Sequence, residues 1–275
     1  MTTTPLIKID NFYLKREDQN ITGSAKDRAL VFQVKSLIQQ HYQLATISST
    51  GNAALSALHF CRLSNIPLTI YTSPKITPAK HQLIQKNLGS NHLRISRQPI
   101  SQSIKYAKKT NAYLLRQSTD PSALLGYQSI GTEILSQLPV VSSIFVPVGS
   151  GTTLLGISQA LPPHIKLYAV QPASCPYFSS HFDSDFIPEA ENLTDALGVK
   201  YLPQKKDLIK VIDHTGGSGL VVQNDQIHKA ATFLTQKQVS TSMEGALALA
   251  GLFKAFDHNL PVGQHPVIVL TGTKR

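Results

Sequence analysis

The sequence predicts an α/β protein of two lobes, each a mainly parallel sheet covered by helices. Three observations carry this. Short β-branched or apolar runs alternate with longer segments of helical period, and repeated strand–helix–strand order implies parallel pairing. Four Gly- or Ser-rich segments fall where strands end and helices begin. At 275 residues and 41% hydrophobic composition, the chain is long enough to bury a substantial core.

The strands are expected at Phe12–Lys15, Ala45–Ser48, Leu68–Thr72, His92–Ile95, Ala112–Leu115, Ser143–Val148, Lys166–Val170, Leu208–Ile212 and Val267–Thr271. A helical stripe follows Asp27 through Leu30, Val34, Leu37 and Ile38. Asn224 is read as the cap of a helix burying Ile227, Ala230, Ala231 and Leu234, and Ala246 to Phe256 is apolar at helical spacing. So many strand–helix units do not fit one compact core. They divide into a larger lobe, residues 1–40 with 130–275, and a smaller one, residues 41–129. From Gln171 to Lys206 the chain reads as one long irregular stretch.

Composition narrows the function. The formal charge is +10 and the pI about 9.6, which raises nucleic-acid binding as an idea. The lysines are instead scattered along the chain, no basic run is interleaved with aromatics, and Trp is absent. A solvated basic surface is the simpler reading, one that draws small anions. No apolar run reaches the length of a membrane span, and Met1–Pro5 lacks the pattern of a signal peptide, so a cytoplasmic location is expected. Cys61 and Cys175 lack metal-ligand spacing; free thiols are simpler than a disulfide, and no metal site is expected.

The four segments carry the chemistry. The first, Leu14 to Arg28, sets Ser24 at a helix start and Lys26 in the first turn. A cation there opposes the helix dipole by about 0.3–1 kcal/mol. Either it serves as an amine nucleophile, or it is a surface lysine paired with Asp27, Glu17 or Asp18. The second, Ile47 to Ala53, offers Ser49, Thr50 and Gly51 to a carboxylate and Asn52 to a phenolate-like oxygen, or is an ordinary glycine turn and cap. The third is Gly149-Ser150-Gly151-Thr152-Thr153 after an apolar strand. Its glycines allow close backbone approach, and its hydroxyls suit a phosphate monoester. It lacks the lysine of a nucleotide-triphosphate loop and the third glycine of a dinucleotide fingerprint. The fourth ends the last strand at Thr271, whose hydroxyl is aimed at the expected cleft between the lobes.

Taken in order, from Thr4-Pro5-Leu6 to Thr271-Gly272, these segments resemble the fold-type II enzymes that use pyridoxal 5'-phosphate (PLP). That superfamily, tryptophan synthase β-like in fold, includes threonine synthase, serine/threonine dehydratases and cysteine synthase. The resemblance implies PLP in the interdomain cleft, held as a Schiff base on Lys26, which also moves protons. By position, Asn52 contacts the cofactor's ring oxygen, Gly149 to Thr153 cradle its phosphate, and Thr271 faces its pyridine nitrogen. Ser49, Thr50 and Gly51 receive the substrate carboxylate. A hydroxyl opposite the pyridine nitrogen makes a weaker electron sink than an aspartate and favours elimination and replacement.

Ser49-Thr-Gly-Asn52, Leu270-Thr-Gly272 and Met243-Glu-Gly-Ala-Leu-Ala-Leu-Ala250 are most similar to threonine synthase, a lyase of amino-acid biosynthesis. The resemblance thus implies conversion of O-phosphohomoserine and water to threonine and phosphate, with Lys80 and Ser118 as candidates for the leaving phosphate. Three positions depart from the pattern. Ala25 replaces a bulkier apolar residue, Ala123 stands where an arginine holds the substrate phosphate, and Tyr127 stands where a glutamine is common. A serine/threonine dehydratase (ammonia-lyase) is the alternative, with cysteine synthase and a catalytically silent PLP-binding protein behind it. The expected partner is a small amino-acid substrate, without nucleic acid or membrane; relatives are often dimers, and a homodimer is expected on that ground alone.

Overall fold

The computed structural model describes residues 3–49, 51–194, 197–198 and 202–275. Its elements run β1 (Leu6–Ile9), β2 (Phe12–Lys15), α1 (Lys26–Gln39), β3 (Ala45–Ser48), α2 (Asn52–Leu63), β4 (Leu68–Thr72) and α3 (Pro78–Asn87). Then follow β5 (His92–Ile95), α4 (Pro99–Thr110), β6 (Tyr113–Leu114), α5 (Pro121–Gln137), β7 (Ser143–Pro147) and α6 (Thr152–Ser158). The chain ends through β8 (Lys166–Pro172), α7 (Lys205–Thr215), β9 (Ser218–Val222), α8 (Asn224–Gln236), α9 (Met243–Asp257) and β10 (Pro266–Val269).

Two sheets form. The larger has six strands in the order β1-β2-β10-β7-β8-β9, with only β1 antiparallel to its neighbour. The smaller is fully parallel, in the order β5-β4-β3-β6. The α/β class expected from strand–helix alternation is therefore the class observed. Strand periodicity splits the core of the larger sheet. Ile144, Val146, Val267 and Val269 face α1, α5, α6 and α7, whereas Phe145, Ile268 and Leu270 face α8 and α9.

One expected strand is a helix. Leu208–Ile212 lies inside α7, where Leu208, Ile212 and Thr215 form the buried stripe and Gly216, at φ +62°, closes the C-terminus. An apolar run flanked by lysines reads equally as a strand until the four-residue spacing of its buried positions is known. The strand that fills the sheet edge is β9, and β1 was likewise absent from the expected set. Three smaller corrections follow. Ile38 is exposed although Leu30, Val34 and Leu37 are buried. Ala231 is only half-buried on α8, and the cap there is Gln223, in a reciprocal box with Gln226. Between Pro172 and α7 the described residues are irregular apart from a short turn at Ser179–His181, tied down where Lys254 donates to Asp183 at 2.7 Å.

A buried ionic cluster joins the first strands to the helices. The Arg28 guanidinium, fully buried, bonds Glu17 at 2.8 and 2.9 Å and Glu133 at 2.5 and 2.8 Å. Lys15 donates to Glu133 at 2.6 Å and to the Thr4 carbonyl at 2.8 Å. Burial opposes charge on Glu133, but the hydrogen bonds from Arg28 and Lys15 outweigh it and hold the carboxyl below its ordinary range. Burial in turn pulls the Lys15 ammonium below its usual value despite Glu133.

A carboxylate with a lowered folded pKa stabilises the fold above its unfolded pKa, and that contribution is lost as pH falls through the folded value. Glu133→Gln is therefore expected to cost about 1–3 kcal/mol at neutral pH. The gap from the wild type should narrow below about pH 4 when both are unfolded in guanidinium. A gap that does not depend on pH would remove Glu133 from this role.

Candidate active site

Parallel strands end their carboxyl termini on one edge, and the ligand-binding segments of such sheets sit there. β10 pairs with β2 on one side and β7 on the other, in register Ile268 with Leu14 and Ile268 with Phe145. The segments following all three strands, with Lys26, Thr271 and Gly149 to Thr153, therefore emerge side by side. Lys26 is drawn in by its neighbour: the Ala25 N–H donates to the Thr271 carbonyl at 2.9 Å, and Ser24 bridges Gly272.

The alternative of an ion-paired surface lysine does not hold. Asp27 accepts from the Thr22 N–H at 2.7 Å and also from its hydroxyl, Glu17 is engaged by Arg28, and Asp18 pairs with Arg16 at 2.7 Å. The Lys26 amine, half-buried, instead lies 3.4 Å from the Tyr127 hydroxyl and 5.8 Å from the centre of its ring. Tyr127 is fully buried on α5. Room for it comes from Gly156 on α6, where a Cβ would stand 2.3 Å from the Tyr127 Cβ.

Gly151 opens α6 at φ +84°, a conformation glycine adopts without strain. The N–H groups of Thr152 and Thr153 meet no acceptor among the described residues, and Ser150 and Thr152 bring their hydroxyls within 3.0 Å of each other. The smaller sheet delivers the second segment after β3. Ser49 Oγ accepts from the Gly51 N–H at 3.2 Å, and Thr50 lies outside the described residues. A Cβ at Gly51 would stand 3.5 Å from Lys80 Cδ, so the Lys80 side chain runs over this loop. Asn52 starts α2 and faces the last segment, since a Cβ at Gly272 would stand 3.0 Å from its Nδ2. Ser118 sits in the turn after β6 and makes no hydrogen bond to another of these residues.

Three neighbours of the site escaped sequence reasoning. Tyr127 was noted only as an unusual residue; nothing in its spacing points to Lys26. Arg275 donates to Asn52 Oδ1 at 2.7 Å and also to the Thr22 carbonyl. Ser242 caps α9, its N–H bonded to the Gly272 carbonyl at 2.8 Å, and its buried hydroxyl has no partner.

A family model for pyridoxal-phosphate dependent enzymes matches residues 1–272. The chain belongs to that family. Among its relatives, an L-threonine ammonia-lyase of Thermotoga maritima is 26% identical over 94% of this chain and 66% of its own length. The serine racemase of Homo sapiens is 26% identical over 95% of this chain and 81% of its own length. In fold, the chain is similar to a maize serine racemase, with TM-score 0.85 at 20% identity, covering 100% of this chain and 89% of that one. It is also similar to a threonine deaminase isoform of Solanum lycopersicum, with TM-score 0.84 at 20% identity over 100% and 80%. These relatives are ammonia-lyases and racemases, which match the alternative reading of the sequence better than threonine synthase.

The residues fit the cofactor of this PLP-dependent family. Unsatisfied N–H groups at Thr152 and Thr153 suit a phosphate, an amine without a carboxylate suits the aldehyde, and the groups around Gly272 are hydroxyls and an amide rather than an acid. Among the described residues no group of His, Cys, Asp or Glu assembles to hold a metal, and no helix is long and apolar enough to cross a membrane. Both cysteines are free thiols, and burial pushes that of Cys61 up to about 12.

Lys26→Ala is expected to purify folded, with the visible absorption of added PLP reduced to that of the free compound and turnover lost. A variant that keeps the bound-cofactor band would assign that band to another lysine.

Proposed function

We propose that this enzyme is a PLP-dependent ammonia-lyase that converts L-serine or L-threonine to the corresponding keto acid and ammonia. The observation that carries the choice over threonine synthase is Ala123. It stands where a phosphate-binding arginine is expected, and it is fully buried in the core beneath α1. A substrate whose leaving group is water needs no second phosphate site. Lys80 is then reassigned from a leaving phosphate to the carboxylate end of the amino acid, beside Ser49 and Gly51.

In this reading the smaller lobe, 41–129, supplies Ser49, Thr50, Gly51, Asn52 and Lys80. The larger, 1–40 with 130–275, supplies Lys26, Gly149 to Thr153 and Thr271. When bound, PLP supplies an electron sink that acidifies the substrate's Cα–H bond. Thr152 and Thr153 offer N–H donors to its phosphate, Asn52 an amide to its ring oxygen, and Thr271 a hydroxyl to its ring nitrogen. Lys26 Nζ takes the proton from Cα. The Tyr127 hydroxyl, 3.4 Å from that nitrogen, is the side-chain group that helps orient the amine as it receives the proton. The resulting ammonium is the acid available to the β-hydroxyl, which departs as water as the Cβ–O bond breaks.

A serine racemase is the second reading, favoured by the 95% of this chain and 81% of the human enzyme that align. Both reactions begin with removal of the α-proton by Lys26, and they part at its return. The test is a product assay with L-serine, L-threonine and O-phosphohomoserine. Keto acid and ammonia from the first two, with phosphohomoserine inert, is the expected result. D-serine without pyruvate would move the enzyme to the racemases, and phosphate with threonine would restore threonine synthase. Tyr127→Phe is expected to lower kcat by about tenfold with KM little changed, because the lost bond orients the proton acceptor and not the substrate. Equal kcat in the variant would remove Tyr127 from the mechanism.

A further inference from the structure

A cavity of about 210 Å³ lies beside the site, between α2, α3 and the turn at Thr22. It is independent of the reaction assigned above. Its apolar wall is Leu55, Leu58 and Leu83, and its polar groups include His59, Arg62 and Arg275; no Asp or Glu lines it. Asn52, Leu55, His59 and Arg62 follow one another at three- and four-residue steps, so the cavity runs along the face of α2 that starts at Asn52.

Three features make this a seat for an anion. The Arg62 guanidinium has no hydrogen bond or ion pair among the described residues. The Arg275 guanidinium spends its hydrogen bonds on neutral oxygens, those of Asn52 and Thr22. His59 Nε2 is buried without a hydrogen-bond partner. Cationic donors with spare capacity beside leucines favour a ligand with a carboxylate at one end and a hydrocarbon at the other. An apolar cavity of about 150 Å³ holds a benzene-sized molecule, so this one has room for roughly six to eight heavy atoms.

We infer that the cavity binds a small aliphatic monocarboxylate, held by Arg62 and Arg275 over the α2 leucines. The site is linked to the cofactor, because a carboxylate on Arg275 competes with Asn52 Oδ1 for the same guanidinium. Ligand in the cavity thus loosens the amide expected at the cofactor's ring oxygen, and bound cofactor weakens the ligand to the same degree.

The test is calorimetric titration of the PLP-loaded enzyme with sodium butyrate, with n-butylamine as the charge control and L-serine as competitor. Arg62 is exposed and outside the site around Lys26, so Arg62→Ala should fold and keep its basal turnover. The expected result is one saturable butyrate site that excess L-serine does not displace. Arg62→Ala should weaken it about tenfold or more, and butylamine should not bind. Butyrate displaced by L-serine would mean that it enters the substrate loop, and equal affinity in Arg62→Ala or no binding would equally overturn the inference. None of these outcomes bears on whether serine is deaminated, so the two claims fail separately.

Discussion

The ionic cluster around Arg28 is the constraint on which the site depends. Arg28 is two residues beyond Lys26 on α1, and its guanidinium is locked between Glu17, from the turn after β2, and Glu133, from α5. Arg28 and Glu17 are fully buried and Glu133 only partly exposed, so removing one partner leaves another unpaired, a penalty of about 1–3 kcal/mol. The same helices meet at Gly126, where a Cβ would come within 2.0 Å of the Arg28 carbonyl oxygen. With both contacts in place α1 has one register against α5, and that register brings Lys26 to Tyr127. The lysine itself makes no strong contact of its own; its position is inherited from its helix.

Around that fixed amine the fold assembles groups from distant parts of the chain by a single device, the carboxyl ends of parallel strands. β2, β10 and β7 are neighbours in the larger sheet although β10 lies at the far end of the sequence. The second segment comes from the smaller sheet, after β3, and its Asn52 at the start of α2 reaches the others through Gly272 and Arg275. Hydrogen bonding within the site is sparse. Donors at Thr152, Thr153 and Ser242 without acceptors are costly in a closed core and reasonable only where a polar group is to be received.

Much of this was legible in the sequence because its signals are local. Gly149 to Thr153 announces a tight turn at a strand end whatever the rest does, and continuous apolar runs mark β7 and β10 as strands buried on both faces. Lys26 was legible by its position in the first turn of a helix and by the order of the four segments. What failed was either ambiguous locally or set by tertiary contact. Leu208 to Ile212 carries apolar residues that serve a strand or a helix, and only packing against β8 selects the helix. Tyr127, Ser242 and Arg275 enter the site by reaching across from other elements, which no spacing in the chain reveals. Ala123 was legible as a departure, yet its meaning came from its burial.

The central claim is that Lys26 is the amine that carries PLP. Borohydride reduction of the PLP-loaded enzyme, followed by proteolysis and peptide mass analysis, tests it directly. The account predicts a phosphopyridoxyl group on the peptide containing Lys26 and on no other. A label on a different lysine, or none on a protein that still binds the cofactor, would contradict it.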